Sequence, residues 1–374
     1  MNDTLGVGRG TRMAQVPAAL LFAQSHKATS RALADVADRL AVRRPLFVFG
    51  SESPGLIGRS LIIDCQPHVD CAVIEVFGAS MREVERVGET VMADRHDAVI
   101  GCGGGQTLDT AKFSAFNAAV PFISVPTQAT NDGICSPVAV LCDDGGRVSS
   151  HGALPPAALV VPIHVAARAP RRTIVTGIAD LAANLIALED WVWARDLSGE
   201  DYDDYAALLA RSAAQLVVSR RQLFGPEREF TQEDVEGLVH GLVLSGLAMT
   251  LAGSSRPCSG PEHLISHAFD ALGVGSGSHG EQVAVGSMLA ARLYDADLSP
   301  VLELLQSVGA PMRPIEIGIE DEDAMRAIDL VPLVRPGRRS RLSSAIAADR
   351  GFVHELATTS WLLSHERTSP QVAA

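Results

Sequence analysis

A strand that runs straight into consecutive glycines and then into a helix admits few folds, and this chain contains one. Asp97 to Gly101 is apolar enough for a buried strand. It leads into Gly101-Cys102-Gly103-Gly104-Gly105-Gln106-Thr107 and a helical pattern that reaches Lys112. Glycines let backbone N–H groups at a helix N-terminus approach a phosphate, because a Cβ would block the approach and such turns often demand positive φ. The string is neither GxGxxG nor a Walker loop, which would need GK[ST] after its glycines. A glycine-rich turn without a ligand is the competing reading. Lys112, two turns into the helix, could reach toward that ligand or toward a surface carboxylate.

Pro45–Phe49, Cys71–Val76 and Pro121–Val125 read as further strands, with Pro54-Gly55 opening a turn after the first. Ser30–Val42 and Met81–Met92 read as helices, the second with Ser80 as N-cap and Val84, Val87 and Val91 as its core face. Strands alternating with helices at this pace predict parallel βαβ units, hence an α/β dinucleotide-binding domain with a parallel sheet over residues 16–165. Residues 1–15 are expected to be a loose tail, having no apolar stretch of a secretion signal. Beyond Pro170 long helical patterns dominate: Ile178–Arg195, Tyr202–Arg220, Thr231–Ala252, Glu262–Leu272 and Glu281–Tyr294. Residues 166–374 are therefore expected to form an all-helical domain. The basic stretch Val334–Arg341 reads by default as a solvated surface turn.

The 374 residues, 47% hydrophobic and 20% charged, suffice for two domains and a large core. A formal net charge of −13 argues against nucleic acid or an anionic membrane as the main partner, while leaving room for a local basic pocket. No run of about eighteen apolar residues is expected to span a bilayer. The six cysteines are scattered without a CxxC pair, which points to free thiols in the cytoplasm.

Chemistry concentrates in three further places. His263 and His267 stand four residues apart on one predicted helix, so both imidazoles project from one face, and His279 follows a glycine-rich connection. Three histidines in so short a span form a candidate metal site, since neutral imidazole suits zinc and iron; a buried polar helix face is the alternative. Asp180, after Gly177, reads either as a first-turn acid complementing a helix dipole or as an oxygen ligand completing a set with His263 and His279. Three protein ligands would leave a position open, as a catalytic metal requires. Finally, Ser124-Val-Pro-Thr-Gln-Ala-Thr-Asn-Asp-Gly-Ile-Cys-Ser136 crowds polar groups at a strand's C-terminal end, a ligand crevice in an open parallel sheet or a plain polar loop.

Five motifs in order resemble one superfamily, the metal-dependent glycerol dehydrogenase and dehydroquinate synthase-like proteins, which includes the iron-type alcohol dehydrogenases. They are Gly103-Gly-Gly-Gln-Thr-Leu-Asp-Thr-Ala-Lys112, Val125-Pro-Thr-Gln-Ala-Thr-Asn-Asp-Gly-Ile-Cys-Ser-Pro137, Gly177-Ile-Ala-Asp-Leu181, Ser255-Arg-Pro-Cys-Ser-Gly-Pro-Glu-His-Leu-Ile-Ser-His267 and His279-Gly-Glu-Gln-Val283. The fourth string singles out the glycerol-1-phosphate branch. The resemblance implies that Gly103, Gly104, Gly105, Gln106 and Thr107 hold the pyrophosphate of NAD or NADP. Thr127, Gln128, Ala129, Thr130 and Ser136 would border its ribose and nicotinamide. It implies Asp180, His263 and His279 as metal ligands, with Asp180, Asp132 and His267 in contact with substrate. The metal would be zinc first, with iron or nickel as alternatives. Arg256 is read here as a contact for a phosphate or nearby anion, or else as a structural salt bridge.

The implied activity interconverts dihydroxyacetone phosphate and sn-glycerol 1-phosphate, in a homo-oligomer. The rivals are a dehydrogenase for another polyol or hydroxy-ketone, and a sugar-phosphate cyclase of the dehydroquinate synthase type. Asn131 stands where histidine is usual in the branch, and Pro261 where a small residue is usual. Glu75 lies within the second strand rather than after it, so NAD and NADP both stay open.

Overall fold

The computed structural model describes residues 15–50, 70–225 and 227–366, with side chains through Trp361. The expected N-terminal tail, Gln15 apart, and the Pro54-Gly55 turn lie outside the described residues. The chain divides into two compact units.

Within the first unit, β1 (Leu20–Ala23), β2 (Pro45–Gly50), β3 (Ala72–Val76), β4 (Ala98–Gly103), β5 (Phe122–Pro126) and β8 (Ala158–Pro162) form a sheet in the order β1-β8-β5-β4-β2-β3. Every pairing in it is parallel. β4, β5 and β8 are buried throughout and β2 over all but its last residue, Gly50, which is why they read as continuous apolar runs and not as alternating ones. β6 (Val138–Cys142) and β7 (Val148–Gly152) make a separate antiparallel hairpin. Helix α1 (His26–Arg39) covers one sheet face through Leu33 and Val36, which pack with Phe47, Phe49, Ile100 and Ile123. Helices α2 (Met81–Ala93) and α3 (Gly105–Asn117) contribute Val84 and Phe113 to a second cluster with Ala139 and Leu141 of the hairpin. Ser80 caps α2 as expected, its hydroxyl accepting from Glu83 N. The strand order reverses between β2 and β4, and ligands of open parallel sheets bind at the carboxyl ends of the strands beside such a reversal. β4 ends there, on Gly103.

The second unit is helical. After the single turn α4 (Ile163–Ala166), which still belongs to the first unit, it begins with α5 (Arg171–Ala182), α6 (Asn184–Ser198) and α7 (Asp204–Val218), and the chain then makes α8 (Gln232–Ala252). Then follow α9 (Pro261–Leu272), α10 (His279–Ala290), α11 (Ser299–Val308), α12 (Asp321–Val334), α13 (Arg341–Ala348) and α14 (Arg350–Glu366). Its main apolar cluster joins Leu264, Phe269, Val285 and Leu289 of α9 and α10 to Ile328, Val353 and Trp361.

Two expectations are corrected. The helical half is not contiguous: residues 230–251, almost all of α8, belong to the first unit, and the boundary at 165/166 falls instead at 170/171. A close approach makes this so, since a Cβ on Gly246 would lie 2.7 Å from the Cys135 carbonyl carbon. In addition, α8 is long and apolar enough to cross a membrane by length and composition alone. Val235, Leu238, Val239 and Leu242 are instead buried, so its apolar character is that of a core helix.

Candidate active site

In the first unit the glycine string turns β4 into α3. Gly104 is the N-cap, in extended backbone, with no side chain capping the helix and no acid in its first turn. The first N–H groups of α3 are thus left for an anion. A Cβ on Gly103 would fall 2.8 Å from the Thr107 side chain, so glycine is needed there for packing. On Gly104 it would meet only the Gln128 amide oxygen, at 3.1 Å, and on Gly105 it would lie 3.6 Å from the Thr130 hydroxyl and Asn131 amide. Gly104, Gly105 and Gln106 are accessible, while Thr107 is buried. The residues present fit a dinucleotide phosphate, because the open cradle is the space a side chain would fill. Beside it, a cavity of about 460 Å³ is lined by His26, Thr127, Gln128, His164 and Arg168.

Lys112 is fully buried and does not reach a ligand. Its Nζ donates to Asp109 Oδ1 (3.1 Å), Gly133 O (2.8 Å) and Val138 O (2.6 Å). It ties α3 to the loop that carries Asp132, which accepts from the Ser245 hydroxyl of α8 at 2.8 Å. Asn131 caps the turn Asp132–Ile134 by accepting from Gly133 N. Ser136 is buried and its hydroxyl donates to Val138 O at 3.4 Å. Ala129 is buried as well.

In the second unit, Asp180, His263 and His279 converge, with one ligand atom from each within 4.8 Å of the others. Asp180 Oδ1 is 3.4 Å from His263 Nε2 and 3.6 Å from His279 Nε2. Close helix packing produces this. A Cβ on Gly280 would sit 2.2 Å from Thr176 O of α5, and one on Gly286 would sit 2.6 Å from Glu262 O of α9. Two glycines on α10 therefore let it approach both partner helices. Asp180 lies in the last turn of α5, not in the first, so the helix dipole gives it no support.

The imidazoles are oriented from behind. His263 Nδ1 donates to the buried Glu262 carboxylate at 2.8 Å. The Ser266 hydroxyl donates to Gln282 Oε1 (2.7 Å), so it accepts from His279 Nδ1 (3.3 Å). Both Nε2 atoms are thereby aimed at Asp180. Such outer hydrogen bonds fix ligand tautomers, and one carboxylate with two imidazoles is a borderline donor set for a divalent transition metal. The residues fit the group.

Electrostatics separate the three histidines. Burial opposes a charged His263, but its hydrogen bonds to Asp180 and Glu262 outweigh it and push its pKa up to about 9. Burial and the charge on His263 bring His279 down to about 4. His267 is held well below the usual histidine range by burial and by Arg335, whose Nη2 lies 3.2 Å from its Nε2. A guanidinium only donates, so His267 accepts at Nε2 and stays neutral.

Arg256 is a correction. It is buried, and its guanidinium is taken by Glu200 (2.6 and 2.9 Å), Asp190 (2.8 Å) and Arg339 O (2.8 Å). The structural salt bridge is the reading that stands, with four of the five guanidinium donors so used. The Val334–Arg341 stretch is corrected too: Arg335 and Arg338 are partly buried against His267, Ser255 and Ser259. Two arginines three apart in a loop carried no helical or strand period, so only their composition was visible.

A parallel dinucleotide-type sheet, together with a helical unit that gathers one carboxylate and two imidazoles, defines the class: metal-dependent alcohol dehydrogenases. A family model described as iron-containing alcohol dehydrogenase matches residues 24–170. Glycerol-1-phosphate dehydrogenase [NAD(P)+] of Cenarchaeum symbiosum is 41% identical over 70% of this chain and 72% of its own length. That of Thermococcus kodakarensis is 35% identical over 88% and 93%. The chain belongs to the glycerol-1-phosphate dehydrogenase family. Among solved structures, glycerol dehydrogenase from Schizosaccharomyces pombe shares the fold with a TM-score of 0.74 at 20% identity, covering 96% of this chain and 94% of that one. A probable glycerol dehydrogenase from Sinorhizobium meliloti does so at 0.73 and 21%, covering 95% and 100%.

Proposed function

We propose that this protein is a metal-dependent, NAD(P)-linked oxidoreductase that interconverts dihydroxyacetone phosphate and sn-glycerol 1-phosphate. The carrying observation is the convergence of Asp180, His263 and His279, the two imidazoles each aimed by a neighbour, in a chain of this family. These three residues would hold a divalent ion, zinc first, which when bound supplies Lewis acidity at the substrate oxygen. Gly103 to Thr107 would seat the dinucleotide pyrophosphate at the N-terminus of α3, with Thr127, Gln128, Ala129 and Thr130 beside the ribose and nicotinamide. Asp132 would contact substrate, its carboxylate positioned by Ser245 and its loop by Lys112. His267, accepting at Nε2, keeps its proton on Nδ1, where it can donate to a substrate oxygen. The scattered thiols, none of them in a disulfide among the described residues, agree with a cytoplasmic setting.

The substrate test is direct. Dihydroxyacetone phosphate is expected to be reduced with a kcat/KM roughly 30- to 800-fold above that for dihydroxyacetone, the equivalent of about 2–4 kcal/mol of phosphate contact. A preference for glycerol or another unphosphorylated alcohol would move the protein to the polyol reading.

The histidine pair gives a second expected result. With His263 near 9 and His279 near 4, the metal-free site keeps one proton between those values. Metal must displace it, so apparent zinc affinity should rise about tenfold per pH unit between pH 5 and 8. Calorimetry at pH 7 in buffers of different ionisation enthalpy should detect one proton released. Affinity independent of pH would mean His263 is already neutral.

A further inference from the structure

We propose that Arg338 and Arg335, with the hydroxyls of Ser255 and Ser259, form the seat for the substrate's phosphate group. The assignment rests on the reading of the protein as a dehydrogenase of a phosphorylated ketone and names the side chains that would distinguish that ketone from an unphosphorylated one.

Arg338 is the leading observation. It is partly buried, and its hydrogen bonds go to neutral groups: Nη1 donates to the Ser259 carbonyl and to Ser259 Oγ (3.0 Å), and Nη2 donates to Ser255 Oγ (2.7 Å). No carboxylate pairs with it among the described residues. A charge withdrawn from water is costly unless an opposite charge compensates. Burial, then the nearby charges of Arg335 and Arg256, brings this guanidinium down to about 9, against the opposing pull of Asp190 and Glu200, which are committed to Arg256 and do not hydrogen-bond Arg338. What the site lacks is an anion in direct contact with Arg338. Three of its five donors are used, which leaves Nε–H and one Nη2–H for a bidentate contact with phosphate oxygens.

Ser255 adds a donor by elimination. Its hydroxyl accepts from Arg338 Nη2 and from Arg335 Nη1 (3.2 Å). Both lone pairs are then occupied, and the remaining O–H must point away from the arginines as a donor. The loop carrying the pair is fixed from behind. Arg256 Nη2 donates to Arg339 O, Arg341 N donates to Asp190 Oδ1 (2.8 Å), and Ser340 is fully buried. Arg256, itself held by Glu200, and Asp190 thus anchor the backbone that follows Arg338, although Arg256 offers no contact to the ligand.

The location suits a short substrate. Arg335 Nη2 touches His267 Nε2, and the His267 ring lies 6.2 Å from that of His279. A three-carbon ketone whose oxygen lies at the Asp180, His263 and His279 set can carry its phosphate only a few bonds further. The ligand class is a phosphate monoester dianion, and free phosphate should compete for the same seat.

The test uses the metal-loaded, full-length protein as wild type, Arg338→Ala and Arg338→Lys. Metal content and thermal midpoint are checked first, and the lysine variant preserves the charge should the alanine variant fold poorly. Arg338→Ala should lower the ratio of kcat/KM for dihydroxyacetone phosphate over dihydroxyacetone by roughly 30- to 800-fold, and Arg338→Lys by less, because it keeps charge but loses the fork. Inorganic phosphate, titrated by calorimetry without cofactor, should bind the alanine variant at least tenfold more weakly. An unchanged ratio with unchanged phosphate affinity overturns the seat. If wild type fails to reduce dihydroxyacetone phosphate while Arg338→Ala still weakens phosphate binding, the seat stands and the proposed substrate falls.

Discussion

His279→Ala should empty the proposed metal site and lower kcat/KM by at least about 1000-fold, several kcal/mol of lost charge stabilisation at the substrate oxygen. The fold should survive. His279 stands at the first position of α10, about a third of its side chain is exposed, and the capping box of Ser278 and Glu281 that starts the helix does not involve it. His263→Ala is the harsher change. It removes one of the two partners of Glu262 Oε1, the other being Gly260 N, from a carboxylate that is wholly buried and whose Oε2 already accepts no hydrogen bond among the described residues. That loss should add about 1–3 kcal/mol of destabilisation to the loss of metal. The pair separates ligation from folding: both variants lose metal, but only His263→Ala should show a lowered thermal midpoint when compared with metal-free wild type. Normal zinc content in either variant, measured by elemental analysis, would remove that residue from the ligand set.

The contrast between those two histidines also marks what could be read from the sequence. A spacing of four put His263 and His267 on one face, and the structure keeps them there. Spacing could not say which of them meets Asp180, because that depends on how closely α10 approaches α5 and α9, and glycines at 280 and 286 govern this through contacts distant in sequence. Local pattern gave the βαβ alternation of the first unit because each strand carries its own apolar run. It could not place α8, whose periodicity is that of any buried helix; its partners, Cys135 and Asp132, are more than a hundred positions away. Lys112 and Arg256 stayed open between two readings for a common reason. A cation in a polar motif suggests a ligand contact, yet each satisfies its donors on backbone carbonyls and carboxylates brought in from other elements. Arg338 shows the converse, since its significance lies in a carboxylate that does not arrive.

Gly104→Val should reduce dinucleotide affinity by about 100-fold or more while leaving metal content and fold nearly intact. Three glycines follow in succession, and the structure gives them unequal tasks. Gly103 is committed to packing, since a Cβ there would collide with Thr107 in the first turn of α3. Substituting it would confound cofactor loss with damage to the helix start. Gly104 has extended backbone that any residue can adopt, and its nearest obstacle is the end of the flexible Gln128 side chain. The branched side chain of valine would therefore enter the space above the uncapped N–H groups, where a pyrophosphate gains both hydrogen bonds and the positive end of the helix dipole. Excluding the phosphate by an ångström or two forfeits charge-assisted bonds worth about 1.5–3 kcal/mol each, so two lost contacts account for the expected drop. Calorimetric titration with NADH and with NADPH, alongside the thermal midpoint of the cofactor-free protein, checks both halves. If both cofactors bound the variant as they bind wild type, the glycine turn would be a turn and nothing more, and the dinucleotide would have to be sought at the cavity lined by Thr127, Gln128 and Arg168.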